Sequence, residues 1–200
     1  MVKTAPASTP HSASVVVVDA EGNVASLIHT SNTLAWGSTG IVVGGVPIPE
    51  AAGLSAIRFP SVKPGNRVPH DMAPLILLDH GKPALAIATV GSSLVQESVQ
   101  VIVDSVVKGS DLARVLASPP LLLFGSQSLP GGVPTLVLQI PAGAYSDAIA
   151  AQLRERGVAV KECTPTEVAA LRGTPAVARI KGGASESVEV PGVFNFAAAY

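Results

Sequence analysis

The sequence predicts an α+β fold with a mainly antiparallel sheet. Three observations carry that expectation. Strand-like stretches come first, helical periodicity follows, and strand candidates return near the end. The apolar runs, such as "LILL" and "LLLF", are strand-sized, and no stretch reaches the roughly 18 apolar residues of a transmembrane helix. Aromatic residues make up only 4% of the chain, so Val, Leu, Ile and Ala must build the core.

Each element has its own signal. Ser14 to Asp19 is nearly all Val and reads as a strand buried on both faces. "DAEGN" is a turn, with Gly22 and Asn23 at the positions that need positive φ. Val24 to Thr30 is a second strand. Val24, Ser26, Ile28 and Thr30 lie on one face, and Ala25, Leu27 and His29 on the other. Residues 33–73 are rich in Gly and Pro and read as long loops with one short strand over Gly40–Val43. "PLILLD", "HGKP" and "ALAIAT" form a second hairpin over residues 74–89.

A helix follows, expected to bury Leu94, Val95, Val99, Ile102, Val103, Val106 and Val107, with Ser92 or Ser93 as its cap and Gly109 as its stop. "SDLARVLA", residues 110–117, is a second short helix. Leu121–Phe124 and Leu136–Ile140 are strand candidates, and Tyr145–Arg156 is an amphipathic helix stopped by Gly157. "TPTE", from Thr164, is a capping box with Pro at the first helical position. Ala176–Ile180 is a last strand before a loop-rich tail.

Composition excludes several function classes. With 200 residues, 48% hydrophobic and 14% charged, the chain is neither a disordered acidic nor a disordered basic segment. A net charge of −1 without a basic stripe argues against nucleic-acid and anionic-membrane partners. Cys163 is the single cysteine, and the four His are scattered, so no metal site and no cofactor is expected. "MVKTAPASTPHSAS" has one Lys and no apolar core, unlike a signal peptide, and residues 1–11 read as a flexible lead-in. No compartment follows from this. A low charge on an apolar chain further implies that another chain covers part of the surface.

The first hairpin is rich in Ser, Thr and Asn. That pattern suits a chain that presents a hydroxyl at a newly made N-terminus, where its own α-amine acts as general base. Thr30, Asn32 and Thr33 on the neighbouring strand would hold that residue. The Val90-Gly91-Ser92-Ser93 turn, entering a helix, would supply backbone N–H groups for an oxyanion.

The chain resembles the small subunit of γ-glutamyltranspeptidases, which are N-terminal nucleophile (Ntn) hydrolases. "SVVVVDAEGNVASLIHTSNT" is similar to the family's first hairpin, and "GSTGIVV" to its Gly-Ile strand. "RVPHDMAPLILLDHGKPALAIATVGSS" is similar to the next hairpin and Gly-Gly turn, and "VQVIVDSVVKGSDLARVLASP" to the two helices after it. The matching stretches run in family order over roughly residues 12–120, and the final Tyr200 also fits. The resemblance implies an αββα sandwich over residues 12–200 and a large-subunit partner. It also implies autocatalytic cleavage before Ser12, with residues 1–11 as lead-in or pro-segment remnant.

The resemblance places the nucleophile at Ser12, where the family usually has Thr. Thr9 is a second candidate, which requires a three-residue insertion. It places Thr30 at the Thr that contacts the nucleophile's amine, Asn32 at the Asn that binds the substrate α-carboxylate, and Gly91 and Ser92 at the oxyanion N–H positions. The pocket departs from the pattern. "GGVPIPE" puts Pro49 where an acidic residue would bind the glutamyl ammonium, unless Glu50 substitutes after a one-residue slip. His70 and Asp71 replace the Ser-Ser pair that grips the carboxylate, and an Asp there repels a carboxylate. The expectation is an acyltransferase or amidohydrolase that acts on small-molecule amides but is not γ-glutamyl specific. The alternative is a non-catalytic relative or fragment that keeps the fold and pairs with a large-subunit chain.

Each candidate also has a plain structural reading. Ser12 is then a solvated residue of the lead-in, Thr30 and Asn32 are ordinary strand-end groups, and Gly91-Ser92 is a helix cap. His70-Asp71 is then a polar loop pair. His29 and His80 read as structural or solvated, Trp36 as lining a pocket or packing under its loop, and Cys163 as uncatalytic.

Overall fold

The computed structural model describes residues 12–30, 39–48, 62–67, 72–127, 135–188 and 190. The chain folds as a mixture of helices and mostly antiparallel sheets. Strands β1 (Ser12–Val18) and β2 (Val24–Thr30) form an antiparallel hairpin in which Ser12 pairs with Thr30 and Val18 with Val24. Its turn needs one positive φ, at Gly22 (84°), rather than two. Asp19 supplies the rest: its carboxylate accepts from the Asn23 backbone N–H at 2.8 Å and from the Asn23 amide at 2.7 Å. These bonds hold the Asp19 carboxyl below the usual carboxylate range.

The region 33–73, expected to be loops with one strand over 40–43, contains a tiny hairpin, β3 (Val42–Val43) and β4 (Val46–Pro47), joined through Gly44 and Gly45.

The central sheet has the order β11–β10–β6–β5, where β5 is Leu75–Asp79, β6 Lys82–Gly91, β10 Gly173–Lys181 and β11 Ala184–Ser187. Strand β11 falls in what the sequence presents as a loop-rich tail. The β5–β6 turn uses positive φ at His80 and Gly81. Strand β6 is the spine of the molecule, with Leu85 to Val90 buried. On one face, Leu85 and Ile87 join Val101, Leu112, Val115, Leu116 and Val177 in the core. On the other, Ala86, Ala88 and Val90 lie under the β1–β2 hairpin, which packs on β6 and β10.

The first helix covers the core face of this sheet. It is α1 (Leu94–Ile102), continued as a π-helical segment over Val103–Val107. Its buried face overturns the periodicity reading. Glu97, Ser98, Val101 and Ser105 face the sheet, while Val95, Val99, Val103, Val106 and Val107 are exposed. Small side chains explain the choice. Ser98 Oγ donates to Leu94 O and pairs with Thr89 Oγ1 at 2.8 Å, and Ser105 Oγ donates to Val101 O. Satisfied hydroxyls let the helix lie close against β6 at little cost.

Helix α2 (Leu112–Ala117) starts at Asp111, whose side chain accepts from Arg114 N. A second sheet, β7–β8–β9, contains the one parallel pair among the described strands, β8 (Thr135–Pro141) with β9 (Ala159–Cys163). Strand β7 (Leu122–Gln127) pairs antiparallel with β8. The crossover between β8 and β9 is α3 (Asp147–Glu155), as a parallel pair requires. Strand β9, like β11, is an element the sequence reading omits, being short and mixed in polarity. Helix α4 (Pro165–Leu171) opens with the expected capping box at Thr164 and Glu167.

Candidate active site

The inner face of the β1–β2 hairpin carries Ser12, Ser14, Ser26 and Thr30, together with Val16, Val18, Val24 and Ile28. Its direction is fixed by Ser26, whose Oγ donates to the Ile87 carbonyl of β6 at 2.8 Å. The outer face carries Ala13, Val15, Val17, Ala25, Leu27 and His29 and is exposed; Val15 is 46%, Val17 53% and Leu27 56% accessible. The expectation of a strand buried on both faces is therefore corrected. Hydroxyls point between the layers, and the Val residues are split between inside and outside.

At the open end of the hairpin, Ser12 and Thr30 face each other as a register pair, and Ser12 Oγ donates to Thr30 Oγ1 at 2.9 Å. Both are half-buried. A strand pair presents such residues on one side of the sheet because side chains alternate with period two. The Ser12 hydroxyl thus has a fixed orientation in the layer facing β6.

Gly91 ends β6, and Ser92 and Ser93 follow before α1. Gly91 has φ 107°, and a Cβ there would meet Arg172 O at 2.7 Å and Gly173 Cα at 3.0 Å, so glycine is required. Ser93 Oγ donates to Leu171 O at 2.7 Å and Ser92 Oγ to Ala170 O at 3.5 Å. Ser93 is fully buried, and its side chain serves this cross-link rather than the expected helix cap. The turn is therefore tied to the α4–β10 junction.

Asn32, Thr33, Trp36, Pro49, Glu50, His70 and Asp71 lie outside the described residues, as do Thr9 and Tyr200. His29 sits on the outer face of the hairpin, and His80 in the exposed β5–β6 turn beside Asp79. Among the described residues no His, Cys, Asp or Glu cluster could hold a metal. Cys163 is buried, donates to Gln139 Oε1 at 3.1 Å, and has its thiol pushed up by burial.

The residue that sequence reasoning misses is Glu97. It is only 5% exposed, and its Oε1 accepts from Gly173 N at 2.5 Å. Burial raises its pKa to about 7, against the lowering effects of the Gly173 N–H and the Arg172 charge. A small cavity beside it is bounded by Gln100, Leu116, Arg172 and Pro175. The available signal was Leu94, Glu97, Ser98, Val101 and Ser105 at helical spacing, a face of small residues with one acid.

A family sequence model for Gamma-glutamyltranspeptidase matches residues 2–187. The chain belongs to the γ-glutamyltranspeptidase family. A highly active mutant of Gamma-glutamyltranspeptidase from Pseudomonas nitroreducens is similar in structure, with a TM-score of 0.66 at 21% identity over 94% of this chain and 98% of that one. A Helicobacter pylori Gamma-Glutamyltranspeptidase mutant gives a TM-score of 0.60 at 21% identity over 89% and 98%. The Bacillus anthracis transpeptidase enzyme CapD gives 0.55 at 17% identity over 92% and 98%. No curated protein sequence matches at a significant level. The chain thus has the γ-glutamyltranspeptidase-like fold.

Proposed function

We propose that this family member is an acyltransferase or amidohydrolase that uses the hydroxyl of Ser12 as an N-terminal nucleophile and is not γ-glutamyl specific. Cleavage of the peptide bond before Ser12 frees its α-amine. Ser12 Oγ then attacks the carbonyl carbon of a small-molecule amide, and the α-amine takes the hydroxyl proton. The Gly91 and Ser92 N–H groups receive the oxyanion. The amine leaves carrying that proton, an ester remains on Ser12, and water or a second amine takes the acyl group.

One observation carries this reading: the 2.9 Å hydrogen bond from Ser12 to Thr30, at the first residue of β1 and in the layer that faces β6. A solvated lead-in residue has no reason to pair with its register partner. Asn32, His70 and Asp71 are proposed as the substrate contacts, with the Asp in place of a hydroxyl disfavouring a free α-carboxylate.

The exposed apolar face of the hairpin supports a large-subunit-like partner. Covering that face with helices would complete the αββα sandwich of Ntn hydrolases. The same surface would serve a non-catalytic relative, so the second reading shares the partner and differs in processing alone.

Intact mass after co-expression with a large-subunit segment tests the proposal. The expected chain begins at Ser12, and Ser12→Ala leaves the chain uncut and inactive. A purified complex whose small chain still carries Met1 sinks the catalytic reading. Turnover of a γ-glutamyl anilide at the rate seen with other amides would refute the specificity part.

A further inference from the structure

Glu97 lies one layer behind the proposed oxyanion turn, and the hydrogen bonds connect the two. Its carboxylate binds Gly173 N, and Gly173 is the register partner of Gly91 across the β6–β10 ladder. The two glycines approach so closely that a Cβ on either would collide: on Gly91 with the 172–173 backbone, on Gly173 with Thr89 Cγ2 at 2.9 Å and Val90 O at 3.2 Å. Glu97 stands in the first turn of α1, with its own N–H donating to Ser93 O. Its side chain therefore closes a ring that runs from Gly91 through Ser93 and α1 to Gly173 and back across the ladder. Ser93 Oγ, bonded to Leu171 O, fastens the same ring from the other side.

We propose that Glu97 is a positioning residue that sets the place of the Gly91–Ser92 turn through Gly173. This deepens the acyl-transfer reading and rests on it for its catalytic consequence. An ionised carboxylate accepts the Gly173 N–H more strongly than a neutral carboxyl, whose proton would also need an acceptor. With its pKa raised to about 7, Glu97 changes state near neutrality. Among the described residues, the charge facing it is Arg172. Its guanidinium donates through Nη2 to Leu116 O, while its buried Nε has no hydrogen-bond partner. Gln100 from α1, Val115 and Leu116 from α2, and Pro175 from β10 complete the surroundings and do not titrate.

The test is an amide 15N–1H titration of the 200-residue chain from pH 5 to 9, alongside Glu97→Gln. Glutamine keeps an acceptor oxygen and removes the charge. The expected result is that the Gly173 and Gly91 resonances move together with a midpoint near pH 7, and that neither moves in Glu97→Gln. In the processed protein at pH 8, Glu97→Gln should lower kcat about tenfold with KM within twofold, because an oxyanion turn acts on the transition state.

A Gly91 resonance that stays still while Gly173 titrates overturns the proposal, since Glu97 then only secures a strand. So does an active protein with unchanged kcat in Glu97→Gln. If the processed protein turns over no amide, the acyl-transfer reading fails, and the Gly91 titration alone decides the positioning role. Should Glu97→Gln not fold, the wild-type titration makes the same decision.

Discussion

At the scale of single residues, Gly91 and Glu97 show how the proposed site imposes costs on the fold. Gly91→Ala combines a strained φ with a Cβ 2.7 Å from the Arg172 carbonyl oxygen. Backbone on both sides resists adjustment, so urea unfolding should show a loss of about 2–4 kcal/mol. A loss below roughly 0.5 kcal/mol would mean that the turn yields and is not the rigid element described. Glu97 acts through pH. Its folded-state pKa lies above its unfolded value, so the native state binds its proton more tightly. That stabilisation is complete below pH 4.5 and is lost as pH rises through 7, by about 3 kcal/mol. Glu167, held down to about 2 by Lys161 and the Thr164 hydrogen bonds, works in the opposite sense and only at more acid pH. Thermal melts between pH 5 and 8 should therefore fall for the wild type and stay nearly level for Glu97→Gln. Parallel curves would show that Glu97 is not titrating in this range. Their catalytic roles being proposed, Ser12, Thr30 and Gly91 were legible in the sequence as members of a strand end and a glycine turn. Glu97 was not, because its importance comes from a backbone N–H 76 residues away.

Among the elements, those with end signals were the most legible. The capping box of α4 appears where "TPTE" predicts it, with Thr164 Oγ1 accepting from Glu167 N and the Glu167 carboxylate accepting from Thr164 N. Thr164→Ala should cost about 1 kcal/mol in chemical denaturation. Because α4 leads directly into the 170–173 junction, the same variant should loosen amide protection at Leu171 and Gly173 before it affects β6. Uniform loss of protection across the sheet would argue against α4 as a separate support of the turn. The two hairpins were also readable, since Gly22 and His80–Gly81 supply the backbone freedom that tight turns need. The orientation of α1 was not. Its Val residues mark the more hydrophobic face, yet the helix buries Ser98 and Ser105, whose hydroxyls are satisfied by Leu94 O and Val101 O. Close packing against the sheet outweighs burial of the Val stripe, a trade that a periodicity reading cannot weigh.

For the whole molecule, the decisive feature is how much apolar surface remains outside. Val15, Val17 and Leu27 on the hairpin form one contiguous exposed face with Ala13 and Ala25, because their strands pair Val15 with Leu27 and Val17 with Ala25. Soluble monomers seldom leave such faces bare. A chain with 14% charged residues has little else to keep it dispersed. If a large-subunit-like chain covers this face, Leu27→Lys should have two separable effects. The side chain is more than half exposed in the isolated chain, so its melting temperature should change little. In the complex, the same lysine would be buried without a counter-charge, which costs several kcal/mol and should abolish co-purification with the large segment. Light scattering of the isolated variant should meanwhile show less self-association than the wild type. Retention of the large segment at unchanged affinity would place the partner elsewhere, and the exposed Val stripe of α1 would become the next surface to charge.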